Sequence, residues 1–183
     1  MQSELIAVDR SKLGLIAAGL AAGLPEAAVP PADLDRRRWI RLVATDHYDA
    51  WLIHWPSGGG VAPHDHGGSS GAFAIAHGSL VEYVLSDGAD TGATFHEGAV
   101  GLIDPTTVHD VVNVSGAPAA SVHVYSPPLT HMSFYDASEL GDLRELRVEV
   151  VDPERTAWSF DALSFDALSV DELAVDELGL ADA

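Results

Sequence analysis

The stretch from Gly58 to Gly78, with His64-Asp65-His66 at its centre, constrains this chain more than any other. Successive side chains of a β-strand point to opposite faces, so two histidines one residue apart emerge on the same face. There they can share one metal ion, and neutral imidazole suits iron, zinc, copper and nickel. Gly58 lies six residues before His64 and Gly78 twelve residues after His66. A bare His-x-His is a weak motif. The competing reading is a pair of surface loop histidines beside Gly58-Gly59-Gly60 and Gly67-Gly68.

From Trp39 onward the chain is a series of short apolar or alternating runs, at 40–43, 50–55, 72–76, 80–85, 99–103, 108–114 and 120–125, punctuated by Gly, Pro, Asp and Ser. Short strands with turn signals between them indicate a sandwich or barrel. His77-Gly78-Ser79 reads as a hairpin turn, and 143–151 as a last strand ending at Asp152-Pro153. Residues 4–24, rich in Ala and Leu, read as a helix that stops at Leu24-Pro25, and 25–36 as a connector. The final 25 residues repeat with period five, as SFDAL, SFDAL, SVDEL, AVDEL and GLADA. That period matches neither strand nor helix well. The segment reads as a solvated acidic tail. Alternatively it is a docking segment that presents Phe160, Phe165 and its leucines to a protein partner or to the domain itself. The expected organisation is a helical segment and connector (1–38), one β domain (39–158) and the tail (159–183).

The chain has no cysteine, which excludes disulfides and thiolate metal sites. Net charge is −19, with Lys12 the only lysine. Such a surface repels phosphate backbones and anionic headgroups, so neither nucleic acid nor a membrane surface is an expected partner. Leu13 to Leu24 is apolar but too short to span a bilayer. It is expected to be a buried or amphipathic helix. A secretion signal is the alternative, disfavoured by Glu4 and Asp9 ahead of it. A cytoplasmic location is expected.

A second constellation is Ser121-Val122-His123-Val124-Tyr125. Alternation puts Ser121, His123 and Tyr125 on one strand face. On an inward face these polar groups must bond one another, and a Ser–His–Tyr relay does so. The alternative is an outward polar face on an edge strand. It is not a hydrolase triad, because all three lie on one short strand and no G-x-S-x-G is present.

The Gly58 to Gly78 layout resembles the first cupin motif, and His109 with Asn113 resembles the second. Two departures stand out. The cupin glutamate would fall at Ser70 or Gly71, and Asp104-Pro105-Thr106 replaces the usual Pro-x-Gly before the second-motif histidine. Three histidines without the glutamate is the pattern of thiol dioxygenases. Residues 39–136 resemble the cysteine dioxygenase family through Trp55, Pro63-His64-Asp65-His66, Ser69, Gly78-Ser79-Leu80-Val81-Glu82, His109 with Asn113, and Ser121 to Pro128. The last of these is the most specific, since a generic cupin does not explain it.

The resemblance implies an all-β cupin jelly-roll barrel with an N-terminal helical segment and a C-terminal acidic tail. It implies that His64, His66 and His109 hold Fe(II), and that Ser121, His123 and Tyr125 form a catalytic relay with Tyr125 and Trp55 against the substrate. Mammalian members carry a cysteine, cross-linked to the tyrosine, at the position of Gly71. This chain has glycine there, as many bacterial members do, so no Cys–Tyr cofactor can form. The family grips the substrate carboxylate with an arginine on an early strand, for which Trp39-Ile40-Arg41 is the best match. The 3-mercaptopropionate enzymes have glutamine there. Otherwise Arg41 is just one of a basic group with Arg36, Arg37 and Arg38.

Three neutral histidines leave the charge of Fe(II) uncompensated, which suits a chelating thiolate. The expected activity is therefore an Fe(II)-dependent thiol dioxygenase that takes L-cysteine, or a related small thiol, and O2 to the sulfinic acid. The alternatives are a dioxygenase for 3-mercaptopropionate or a bulkier thiol, a non-catalytic metal- or ligand-binding cupin, and a zinc hydrolase-type site. A monomer is expected. His47, His54, His77, His96 and His131 have no ligand spacing and are expected to be surface or structural.

Overall fold

The computed structural model describes residues 7–85, 91–137 and 143–151. In chain order its elements are α1 (Arg10–Ala22), β1 (Arg38–Ala44), β2 (Asp49–Trp55), β3 (Gly60–His64), β4 (Ser70–His77), β5 (Ser79–Leu85), β6 (Thr91–His96), β7 (Val100–Ile103), β8 (Val108–Val112), β9 (Ala119–Ser126), β10 (His131–Ala137) and β11 (Leu143–Val150). One antiparallel sheet runs β1-β2-β9-β4-β7 and the other β11-β10-β3-β8-β5-β6. This is the expected jelly-roll barrel with an N-terminal helix.

Alternation along the central strands divides the core in two. Leu52, Ala72, Ala74, Val122 and Val124 point outward from the first sheet, yet they are buried because α1 lies on them through Leu13 and Ala17. The small Ala and Val side chains let the helix approach closely. Trp51, Trp55, Phe73, Ile75 and Tyr125 point the other way and fill the barrel. Strand β9 is buried along its whole length. Ser121, His123 and Tyr125 therefore face the barrel interior, and the edge-strand alternative does not hold.

The helix is shorter than its composition suggests. It starts at Arg10, where the Asp9 side chain accepts from Ser11 N–H, and ends at Gly23, one residue before Leu24-Pro25. The connector carries a short 3-10 turn, Glu26–Ala28. His77-Gly78-Ser79 is not a hairpin. β4 pairs with β7 and β9, whereas β5 pairs with β6 and β8, so Gly78, at φ +73, turns a corner between sheets. Strands β3, β6 and β10 lack a plain apolar run. Pro63 interrupts β3, where the register shifts between Val61 and His64. β6 is a mostly exposed edge strand. The period-five tail lies outside the described residues. No helix among the described residues is long and apolar enough to cross a membrane.

Candidate metal centre

Both His-bearing strands lie in the six-stranded sheet, with His64 opposite His109 in register. His64 is the last residue of β3, so strand alternation alone does not bring His66 to it. His66 sits in the following turn, where Ser69 N–H bonds its carbonyl. Asp65, between them, fixes that turn. Its backbone N–H donates to Ser133 O at 2.9 Å, and its carboxylate accepts from Gly67 N–H at 2.9 Å and from the Tyr135 hydroxyl at 2.6 Å. Gly67 takes φ +58 under the His131 ring, where a Cβ would come within 2.5 Å. A side chain there would be strained by the backbone conformation and would have to displace the His131 ring.

One ring nitrogen from each of His64, His66 and His109 lies within 4.8 Å of the others, and all three residues are buried. The His64 Nδ1–H donates to Ala62 O at 2.8 Å, since a carbonyl can only accept. The His109 Nδ1–H donates to the Glu82 carboxylate at 2.6 Å. Each leaves Nε2 turned to the common centre. Both ring nitrogens of His66 are buried without a protein hydrogen-bond partner. Burial, joined by the neighbouring histidines, holds His64 and His66 well below the usual imidazole range, and so neutral. Buried, mutually oriented imidazoles with an orphaned pair of nitrogens on His66 fit a metal ion.

The relay stands beside this cluster. The Tyr125 ring packs on His66 with centroids 4.7 Å apart. Trp55 Nε1–H donates to Ser121 Oγ at 2.8 Å, His123 Nε2 lies 2.9 Å from Ser121 Oγ, and His123 Nδ1 lies 3.2 Å from the Tyr125 oxygen. Ser121 Oγ accepts from Trp55 and has a second lone pair and a proton for His123, so the sense of the chain is set by the His123 tautomer: with the proton on Nδ1, Ser121 donates to Nε2, His123 donates to the Tyr125 oxygen, and the phenol proton points elsewhere. Burial first, then the charges of His109 and Arg37, pushes His123 down to about 3. Burial, with Asp49 opposite in the strand register, pushes Tyr125 up. His123 is therefore a neutral imidazole and Tyr125 an un-ionised phenol across the physiological range. Gly71 faces Tyr125 across β4 and β9, and a Cβ there would lie 3.1 Å from Tyr125 Cδ1.

A cavity of about 140 Å³ opens over His64, His109, His123 and Tyr125, with Trp55 in its wall. Arg41 is not among its lining residues. It lies opposite Trp51 in register with its guanidinium 5.5 Å from that ring, and Asp49 feels its charge. The arginine that does line the cavity is Arg37, on the same face of the chain as Trp39 and two residues before it. Its guanidinium lies 5.6 Å from the Trp39 ring and 5.4 Å from the Trp55 ring. Glu82 also escaped the sequence reading as a partner of His109. The only local signal was a lone acid in the apolar run Leu80-Val81-Glu82-Tyr83-Val84. Asn113 is buried and serves structure, since its amide donates to Pro56 O at 3.0 Å and Ala117 O at 2.8 Å.

A fully buried three-histidine cluster in a β-barrel of this topology defines a metal-site cupin. The cysteine dioxygenase type I family matches residues 27–138, and the chain belongs to that family. Among solved structures the chain is similar to TT1209 from Thermus thermophilus, at 19% identity and a TM-score of 0.50, covering 57% of this chain and 96% of that one. A cupin superfamily protein from Desulfitobacterium hafniense aligns at 14% identity and a TM-score of 0.48, covering 56% of this chain and 88% of that one. The first likeness bears on the fold alone. No curated protein matches the chain.

Proposed function

We propose that this protein is an Fe(II)-dependent thiol dioxygenase that converts L-cysteine, or a related thiol, and O2 to the sulfinic acid. The observation that carries the reading is the Ser121–His123–Tyr125 relay packed against a buried cluster of three histidines, in a chain of the cysteine dioxygenase family. His64, His66 and His109 would hold the metal. Bound iron would supply the positive charge that retains a thiolate and the redox capacity for dioxygen to react with it. Both oxygen atoms go to sulfur, RSH + O2 giving RSO2H. Sulfur gives up the electrons that dioxygen takes, so no external reductant is needed.

The chain's own residues supply position. With His123 protonated at Nδ1, Tyr125 would turn its hydroxyl proton into the cavity and hydrogen-bond the reacting sulfur or oxygen, the direction held by His123 and Ser121, with Trp55 Nε1–H donating to Ser121. A substrate carboxylate would meet the Arg37 guanidinium, whose fork suits it. Arg41, further along the same face of β1 and stacked on Trp51, is the rival for that role. The −19 charge disfavours nucleic acid and anionic membranes as partners. The test is O2 uptake and sulfinate formation by iron-loaded protein with cysteine and other small thiols. Absence of turnover with every thiol, at verified iron occupancy, overturns the proposal.

A further inference from the structure

We infer that Tyr135 is a positioning residue for the metal centre: its hydroxyl, acting through Asp65, holds the turn that carries His66 and so sets the affinity for the metal. The inference rests on the reading of His64, His66 and His109 as metal ligands. These histidines are not held alike. The rings of His64 and His109 are each fixed at Nδ1, by Ala62 O at 2.8 Å and by Glu82 at 2.6 Å. Neither ring nitrogen of His66 has a protein partner. Its ring lies against other rings, with centroids 4.7 Å from Tyr125 and 5.0 Å from both His64 and His109. Ring contacts tolerate a broad range of geometries and orient a side chain less sharply than a hydrogen bond does. His66 also lies beyond the last residue of β3. Its placement therefore depends on the backbone of the turn.

That turn is anchored to β10, which meets β3 with Phe134 opposite His64. Successive strand residues point to opposite faces. Phe134 goes into the core, its ring 5.8 Å from that of His64, and the half-buried Tyr135 goes the other way, to Asp65. The Asp65 carboxylate accepts from Gly67 N–H at 2.9 Å, from Ser133 N–H at 3.4 Å and from the Tyr135 hydroxyl at 2.6 Å. The Gly67 bond lies within the turn, and the Ser133 bond is long. The Tyr135 bond is the short one that reaches the carboxylate from outside, across 70 residues of chain. A hydroxyl donating to a carboxylate is among the stronger hydrogen bonds. The Asp65 backbone N–H also bonds β10, at Ser133 O, but that bond fixes the start of the turn and leaves the side chain able to rotate. Without the Tyr135 hydroxyl the carboxylate can swing away from Gly67 N–H, which loosens the chain on the far side of His66.

The test is Tyr135→Phe in the full-length protein, which removes one oxygen and keeps the ring. Co(II) affinity, read by competition with a chromophoric chelator, should fall about tenfold, the scale of groups that orient a ligating histidine. The visible bands of bound Co(II) should shift or weaken as His66 slackens. Asp9→Ala is the control for a merely structural effect. It removes the cap of α1, on the outer face of the other sheet, and should lower the Tm of metal-free protein while leaving Co(II) affinity and spectrum at parental values. Asp65→Asn tests the route. Tyr135→Phe should cost clearly less affinity in that background than in the parent, because the two side chains act as a pair. Parental Co(II) affinity and spectrum in Tyr135→Phe overturn the inference and leave the metal reading standing. A loss of the same size with and without Asp65→Asn also overturns it, since Tyr135 would then act by another route. An equal loss in Asp9→Ala overturns it as well, because affinity would simply follow stability. A parent protein that binds no Co(II) overturns the inference and the metal reading together.

Discussion

Replacing Glu82 with glutamine should weaken metal binding while leaving the barrel folded. Glu82 accepts the His109 Nδ1–H at 2.6 Å, and the side chains are only 9% and 1% exposed, so water does not screen the pair. Glutamine has nearly the same volume, and its carbonyl can accept the same hydrogen bond. The substitution thus removes the charge and keeps the shape. A hydrogen bond to a charged group contributes about 1.5–3 kcal/mol, against about 0.5–1.5 kcal/mol for a neutral one. Groups that orient a ligating histidine change metal affinity by about 10–100-fold, or about 1.4–2.7 kcal/mol. The expected result is a rise of that size in the Kd for Fe(II) or Co(II), read by competition with a chromophoric chelator. The Tm of metal-free protein should shift by only a few degrees. Metal affinity equal to that of the parent would refute the reasoning, because Glu82 would then act on His109 without acting on the metal.

Asp49→Asn should stabilise the protein at alkaline pH. Burial, only partly offset by Trp51, the Leu129 amide and Arg41, raises the Asp49 carboxyl to about 6 from an ordinary 3.8. A raised carboxyl stabilises the fold below the unfolded value and loses that contribution as pH climbs through the folded value, so the parent carries the full penalty at pH 8. After allowing for interactions that asparagine also loses, the gain at pH 8 should be on the order of 2 kcal/mol and about half that at pH 5; urea unfolding at the two pH values checks it, and a gain that grows toward acid contradicts it. Tyr125→Phe keeps the ring against His66 and removes only the hydroxyl. It should cut turnover by about a hundredfold with metal content unchanged, and near-parental turnover would remove Tyr125 from the chemistry. Arg37→Ala should lower kcat/KM for cysteine about thirty- to a thousand-fold more than for cysteamine, which lacks the carboxylate. If Arg41→Ala shows that discrimination and Arg37→Ala does not, the carboxylate is read by Arg41.

What the sequence determined is local in spacing. His64 and His66 sit one residue apart between glycines, and Ser121, His123 and Tyr125 alternate along one strand, so each group could be recognised without knowing what it packs against. The barrel was legible for the same reason, as short runs with turn residues between them. What the tertiary structure decided depends on partners far apart in the chain. Which face of β9 points inward is set by α1, more than a hundred residues earlier, lying on Val122 and Val124. The corner at Gly78 looked like a hairpin because a turn residue does not say which sheet the next strand will join. Glu82 meets His109 only because β5 pairs with β8. Arg37 rather than Arg41 lines the cavity because the register of β1 on β2 sets Arg41 over Trp51 and beside Asp49. Within a strand such as β9, spacing fixes which side chains share a face. Burial, and therefore charge state and chemistry, depends on what the rest of the chain lays against that face.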